Sequence, residues 1–246
     1  MQIGLFIPCY VDQLYPKVGL AAAALLERHG ATVDYPEAQT CCGQPMANSG
    51  CTDDARPLAA RFVEIFSGYD AVVCPSGSCT AMVREQYTTL LGDTQAVRAL
   101  QAKTFELCEF LAGTLKAKPK GRFAHKLGLL QSCHGLRGLR LGSGSERNVE
   151  PFDTPRALLA GIEGLALVSP DRPDECCGFG GTFAVHQEAI SCAMGRDRLA
   201  GYERAGAEII AGPDVSCLMH LDGLAKRERR PMRFLHLAEL LVEAAG

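Results

Sequence analysis

Short apolar runs alternate with amphipathic stretches along the whole chain. Residues 4–7 form an apolar run that predicts a buried strand. Residues 18–29 are rich in Ala and Leu and end at Gly30, which predicts a helix closed by a glycine. A second strand is expected over 31–35 and a helix from Thr52 to about Phe66, opened by a hydroxyl and two carboxylates suited to a helix N-terminus. Residues 71–73 predict a third strand and 80–91 a further helix. Phe105, Leu107, Cys108, Leu111 and Leu115 mark one helical face over 104–115, and 234–244 carries an amphipathic helix at the far end. Strand–helix alternation of this kind implies parallel sheets joined by right-handed crossovers, an α/β fold.

The pattern occurs twice. Ile3-Gly-Leu-Phe-Ile-Pro-Cys9-Tyr10 is matched by Leu127-Gly-Leu-Leu-Gln-Ser-Cys133-His134, and Cys41-Cys42-Gly43 by Cys176-Cys177-Gly178. The run from Ala71 through Cys79 to Met82 returns from Glu208 through Cys217 to Met219. Repetition at a nearly constant spacing is the mark of an internal duplication. The expected architecture is two Rossmann-like halves related by a pseudo-two-fold, residues 1–118 and 119–246, divided in the Lys-, Pro- and Gly-rich stretch 116–122.

Composition narrows the function. Apolar residues make up 47% and charged residues 22% of the 246, enough for a sizeable core, and the net charge of −3 gives no basic footprint for nucleic acid. No run approaches the roughly 18–20 apolar residues of a membrane span, and the N-terminus has no secretory signal pattern, so a cytoplasmic protein is expected. Twelve cysteines are then unusual. In a reducing compartment such a set points to metal or redox chemistry before a disulfide framework.

Eight of the twelve fall into two matched sets: Cys9, Cys41, Cys42 and Cys79, and Cys133, Cys176, Cys177 and Cys217. Independent core residues would not reproduce two consecutive pairs with their flanking partners. Side chains of consecutive residues on an extended chain diverge, so a pair suits an inorganic core with several metal atoms better than a single ion. The glycine after each pair lets the backbone turn and approach that core. Four thiolates match the ligation of an iron–sulfur cluster, or a tetrahedral zinc in one or both sites. Four of the eight follow predicted strands, where open α/β sheets gather their ligands.

These paired cysteines, together with Cys74-Pro-Ser-Gly-Ser-Cys79 and Ser132-Cys-His-Gly-Leu-Arg137, resemble the cysteine-rich (CCG) domain family, and the lactate-utilization branch most closely. The cysteine-rich subunit of heterodisulfide reductase and the glycolate oxidase iron–sulfur subunit are more distant likenesses. The resemblance covers essentially the whole chain. It implies an iron–sulfur electron-transfer subunit, one cluster per half and [4Fe–4S] in type, working with the other subunits of a complex that oxidises L-lactate to pyruvate. Such a chain is non-catalytic or co-catalytic. The rival readings are a cluster-dependent thiol–disulfide reductase subunit and a zinc-stabilised assembly module. The family's closing Cys-x-x-Cys is incomplete, because Ser76 and Asp214 stand where its first cysteine would be. That departure favours four-thiolate sites.

Other residues carry weaker signals. His134, Arg137 and His220 neighbour the cysteines in sequence and are candidates to tune the cores or bind a carboxylate. Cys51, Cys108 and Cys192 have no repeated partner and are expected to pack in the core, with Cys74 intermediate. Gly178-Phe-Gly-Gly181 lacks the spacing of a dinucleotide loop, so no NAD site is expected. The basic run 226–233 reads as solvated surface or a docking patch for an acidic partner.

Overall fold

The computed structural model describes residues 1–246, which divide into two compact units, Met1–Lys116 and Ala117–Gly246. In unit 1 the strands are β1 (Gln2–Leu5), β2 (Thr32–Asp34), β3 (Ala71–Cys74) and β4 (Thr104–Glu106), all parallel in the order β2-β1-β3-β4. Unit 2 contains β5 (Gly121–Arg122), β6 (Lys126–Leu129), β7 (Ile162–Glu163), β8 (Ala166–Val168), β9 (Ile209–Gly212) and β10 (Arg233–His236). Its main sheet runs β8-β6-β9-β10, again parallel, and β5 pairs with β7 in a small separate ribbon. Taken in chain order, each main sheet places its first strand between its second and third, with the fourth outside the third. The duplicated α/β fold expected from the sequence is therefore present.

The central strands explain this arrangement. Every residue of β3 and of β9 is buried, as required of a parallel strand covered by helices on both faces. The Thr52–Phe66 helix buries Ala55, Ala59, Phe62 and Phe66, a stripe at helical spacing. Phe62 meets Phe6 edge-to-face with ring centroids 4.8 Å apart, and Tyr87 at 5.6 Å. These rings form the floor on which the first cysteine set rests. In unit 2 the corresponding core gathers Leu199, Tyr202, Ile210, Leu218 and Leu221 with Cys177 and Cys217.

Two expected helices begin differently. Residues 104–106 and 233–236 are strands, and the helices start only at Leu107 and Leu237. The residue between strand and helix is a cap in both cases. Glu106 accepts from Cys108 N and Glu109 N while Glu109 reaches back to the Glu106 amide; His236 and Glu239 do the same in unit 2. The capping box turns the chain out of the sheet, so what looks like one helical segment is an edge strand followed by a helix. Smaller shifts have similar causes. β1 ends at Leu5, and Pro8 opens the Cys9–Leu14 helix; Pro16 starts the next helix at its first turn.

No helix is long and apolar enough to cross a membrane.

Candidate metal centres

Both cysteine sets are assembled by the same local devices. In unit 1 the loop before Cys41 is tied to the end of β1: Ile7 N donates to Gln39 Oε1 at 2.7 Å, and Gln39 Nε2 donates to Leu5 O at 3.1 Å. Cys9 occupies the first turn of the Cys9–Leu14 helix, and Cys79 that of the Gly77–Ala81 helix. The result is two sulfur pairs, Cys9 with Cys41 at 3.8 Å and Cys42 with Cys79 at 3.4 Å. Tyr87 Oη donates to Cys42 O at 3.1 Å from below. Cys42 and Cys79 are buried, while Cys9 and Cys41 are half-buried.

Unit 2 repeats the arrangement. Cys133 and Cys176 bring their sulfurs to 3.7 Å, and Cys177 contacts Cys217. Cys133 precedes the wide helical turn His134–Gly138, and Cys217 lies in the first turn of the Val215–Arg227 helix. Here the tether is a buried arginine, which sequence reasoning missed. The Arg198 guanidinium donates to the carbonyls of Arg172 and Pro173, in the loop leading to Cys176, and to Tyr202 Oη at 2.9 Å. Tyr202 Oη in turn donates to Leu129 O at 2.9 Å, at the end of β6. One side-chain chain thus locks the Cys176 loop to the strand that delivers Cys133. A lone arginine in a mostly polar helix gives no signal of burial, so only the fold reveals this role.

The glycine after each pair has a defined function. Gly43 and Gly178 have φ of 87° and 90°, and each N–H points back at the sulfur two residues earlier, 3.4 Å from Cys41 and from Cys176 respectively. These bonds help set the charge of the sites. Hydrogen bonds from Cys42 and Cys9, with help from Gly43 N–H, lower the Cys41 thiol to about 3. Cys133, Cys177 and the Gly178 N–H lower Cys176 to about 2. Their partners move the other way: Cys9 and Cys133 are raised by sharing a proton with those thiolates and then by burial. In each site the proton sharing thus favours the thiolate form of the first cysteine of the consecutive pair.

Ser76 and Asp214, where the resemblance expected a further cysteine, are both buried helix caps. Ser76 Oγ accepts from Cys79 N at 3.3 Å, and Asp214 Oδ1 accepts from Ser216 N at 3.1 Å. Cys74 ends β3, fully buried and in contact with Cys79; burial first, then that contact, pushes its thiol up.

The donor chemistry fits a thiophilic metal. Each set holds four thiols, partly shielded from water and furnished with backbone N–H donors to sulfur, features that stabilise thiolate-bound iron or zinc. The sulfurs meet in a row, Cys9–Cys41–Cys42–Cys79 and Cys133–Cys176–Cys177–Cys217, and no three His, Cys, Asp or Glu side chains already gather closely enough to hold a single ion. A polynuclear core does not need such a point, because each thiolate binds its own metal atom.

The flanking candidates separate. Arg137 donates to Asp174 O at 3.2 Å and pairs with Glu146 at 3.0 Å, and its charge helps lower Cys176. His220 Nε2 lies 3.3 Å from Ser191 O, behind the Cys176 loop, and burial lowers its pKa. His134 is half-buried beside Cys133. Cys108 is buried and Cys192 packs at the edge of its core, as expected. Cys51 does not: it is exposed at the start of the Thr52–Phe66 helix, where the tight turn at Gly50 carries it out of the core. Within the basic run, Lys226, Arg230 and Arg233 pair with Asp222, Glu203 and Glu243 of the same unit.

Comparison with known proteins agrees with this geometry. The cysteine-rich (CCG) domain profile matches residues 3–84 and again 129–222. The chain is 41% identical over 246 residues to lactate utilization protein A of Halalkalibacterium halodurans, covering 98% of this chain and 96% of that one. It is 39% identical over 246 residues to lactate utilization protein A of Bacillus subtilis, covering 98% and 99%. Among solved structures, a hypothetical protein from Helicobacter pylori superposes with a TM-score of 0.67 at 12% identity, a likeness of fold alone. It covers 100% of this chain and 49% of that one, so the chain spans about half the length of that structure.

Proposed function

The chain belongs to the cysteine-rich (CCG) domain family, and from that premise we propose that it is an iron–sulfur electron-transfer subunit in the oxidation of L-lactate to pyruvate. The observation that carries the reading is the repeated four-thiol set, in each of which a glycine N–H is directed at the sulfur of the first cysteine of the consecutive pair. The pathway rests on the full-length relatives that bear the name lactate utilization protein A. Cys9, Cys41, Cys42 and Cys79 would hold one cluster of the [4Fe–4S] kind, and Cys133, Cys176, Cys177 and Cys217 the other. When bound, such a core supplies reversible one-electron chemistry.

The chain's own residues then have distinct tasks. Cys41 and Cys176 offer the first thiolates for loading, so fewer protons must leave when the metal arrives. Gly43 and Gly178 N–H stabilise negative charge on sulfur. Burial of Cys42, Cys79, Cys177 and Cys217 keeps water from half of each site. Two one-electron sites match in number the two electrons released when a hydroxy acid becomes a keto acid. The organic oxidation itself is assigned to a partner protein of the same system.

Metal and sulfide analysis of anaerobically purified protein tests the reading. Iron and acid-labile sulfide, with visible absorption that bleaches under dithionite, are expected. Stoichiometric zinc without iron would replace it with the structural assembly module. Unimpaired growth on lactate after deletion of the gene would remove the pathway while leaving the metal assignment intact.

A further inference from the structure

Unit 2 contains a cavity of about 560 Å³ that none of the thiols lines. That is within the roughly 300–1,000 Å³ typical of small-molecule sites. Its walls include Leu129, the last residue of β6, and Ser169, immediately after β8. It therefore opens at the carboxyl edge of a parallel sheet, where such folds place ligands. Phe152, Pro170 and Pro173 supply apolar surface.

The charges around it are unequally committed. The Asp174 carboxylate takes the Ser145 N–H at 2.7 Å and pairs with Arg137 at 3.4 Å, and the Ser145 bonds lead in holding it below the usual range. Asp153 accepts from the Gln131 side chain and, at 2.9 Å, from Arg156 N, capping the Thr154–Leu159 helix. The Arg156 guanidinium lies near enough to Asp153 for its charge to act on that carboxyl, but it makes no direct ion pair and its one hydrogen bond is to Ser169 Oγ at 3.5 Å. It is the cation this cavity holds in reserve. A single guanidinium presents a planar fork suited to one carboxylate, and the apolar wall suits a short carbon body.

We propose that this cavity binds a small organic monocarboxylate, with Arg156 taking the carboxylate and Ser169 an oxygen next to it. Gln131 and Asp174 line the cavity and stand two residues before Cys133 and Cys176 in the chain. The proposal deepens the functional reading above and rests on it for the choice of probes.

The test is calorimetric titration of the full, anaerobically purified chain with L-lactate, pyruvate and propionate, and with glycerol as a probe lacking a carboxylate. Saturable binding of the carboxylates and none of glycerol is expected. Arg156→Ala should weaken binding at least about tenfold, the loss of a charge-assisted fork, and Arg156→Lys less than that. Iron content and circular dichroism of both variants should match the parent. Equal affinity in the parent and Arg156→Ala, or no carboxylate binding to iron-loaded chain, overturns the proposal. Carboxylate binding by a chain that holds no iron would keep the cavity assignment and remove the iron–sulfur reading instead.

Discussion

At the scale of single residues, the sites are organised by who owns the proton. Neighbouring thiols and a glycine N–H donate to Cys41 and Cys176 and favour their thiolate forms, whereas Cys42 and Cys177 are buried and pushed up by the same contacts. Since the thiolate is the nucleophile, iodoacetamide at pH 6 should label Cys41 and Cys176 of metal-free chain at least about tenfold faster than Cys42 and Cys177. Peptide mapping by mass spectrometry reads this directly, and equal labelling would mean that the proton sharing is wrong. The two glycines should also differ. A Cβ on Gly178 would lie 2.6 Å from Ser191 O, whereas one on Gly43 meets nothing nearer than Ala55 O at 3.4 Å. Both positions have positive φ, which costs a non-glycine residue about 1–2 kcal/mol. Gly178→Ala should therefore lower the melting temperature more than Gly43→Ala. Cysteines and glycines were legible in the sequence because repetition exposed them. Arg198, Tyr202 and Gln39 were not, because a side chain that ties two loops together acts through distance in the chain and leaves no local pattern.

At the scale of elements, the junction of β4 with its helix carries a titratable group. Glu106 is fully buried; Oε2 caps the helix, and Oε1 has no hydrogen-bond partner. Burial raises its carboxyl to about 8 from an ordinary 4.5. The folded chain thus keeps a proton that the unfolded chain releases near pH 4.5. Between those values the native state binds more protons, so this group's contribution to stability falls as pH rises and levels off above about 8. Over that window the loss is on the order of a few kcal/mol. Glu106→Gln keeps a cap oxygen and removes the titration. Urea unfolding at pH 5, 6.5 and 8 should show a flatter pH dependence for the variant, with its largest relative gain at pH 8. The junction was also where sequence reading failed. Strands of three or four residues are too short to show alternation, and the apolar positions of 104–115 and 234–244 satisfy helical spacing across the strand as well. Strand pairing with β3 and β9 decides the matter, and that information is non-local.

At the scale of the molecule, the two units carry separate sheets and separate cores. Loss of one proposed centre should therefore leave the other. Cys42→Ser and Cys177→Ser should each reduce bound iron to about half of the parent value, and the double variant to background. If either single variant emptied both sites, the two sets could not be independent. The duplication and the α/β class could be read from sequence because two matching series of strand, helix and cysteine constrain each other. The small β5–β7 ribbon could not, since two-residue strands have no signature of their own.

The caps at Ser76 and Asp214 bear on how such a protein matures. A cysteine at either place would give up a helix-start hydrogen bond worth about 1 kcal/mol, in exchange for a ligand useful only once metal has arrived. With serine and aspartate there, both helices are secured by the polypeptide itself. On the proposed reading, metal delivery can then follow folding, and a chain that has yet to receive its metal keeps both helices.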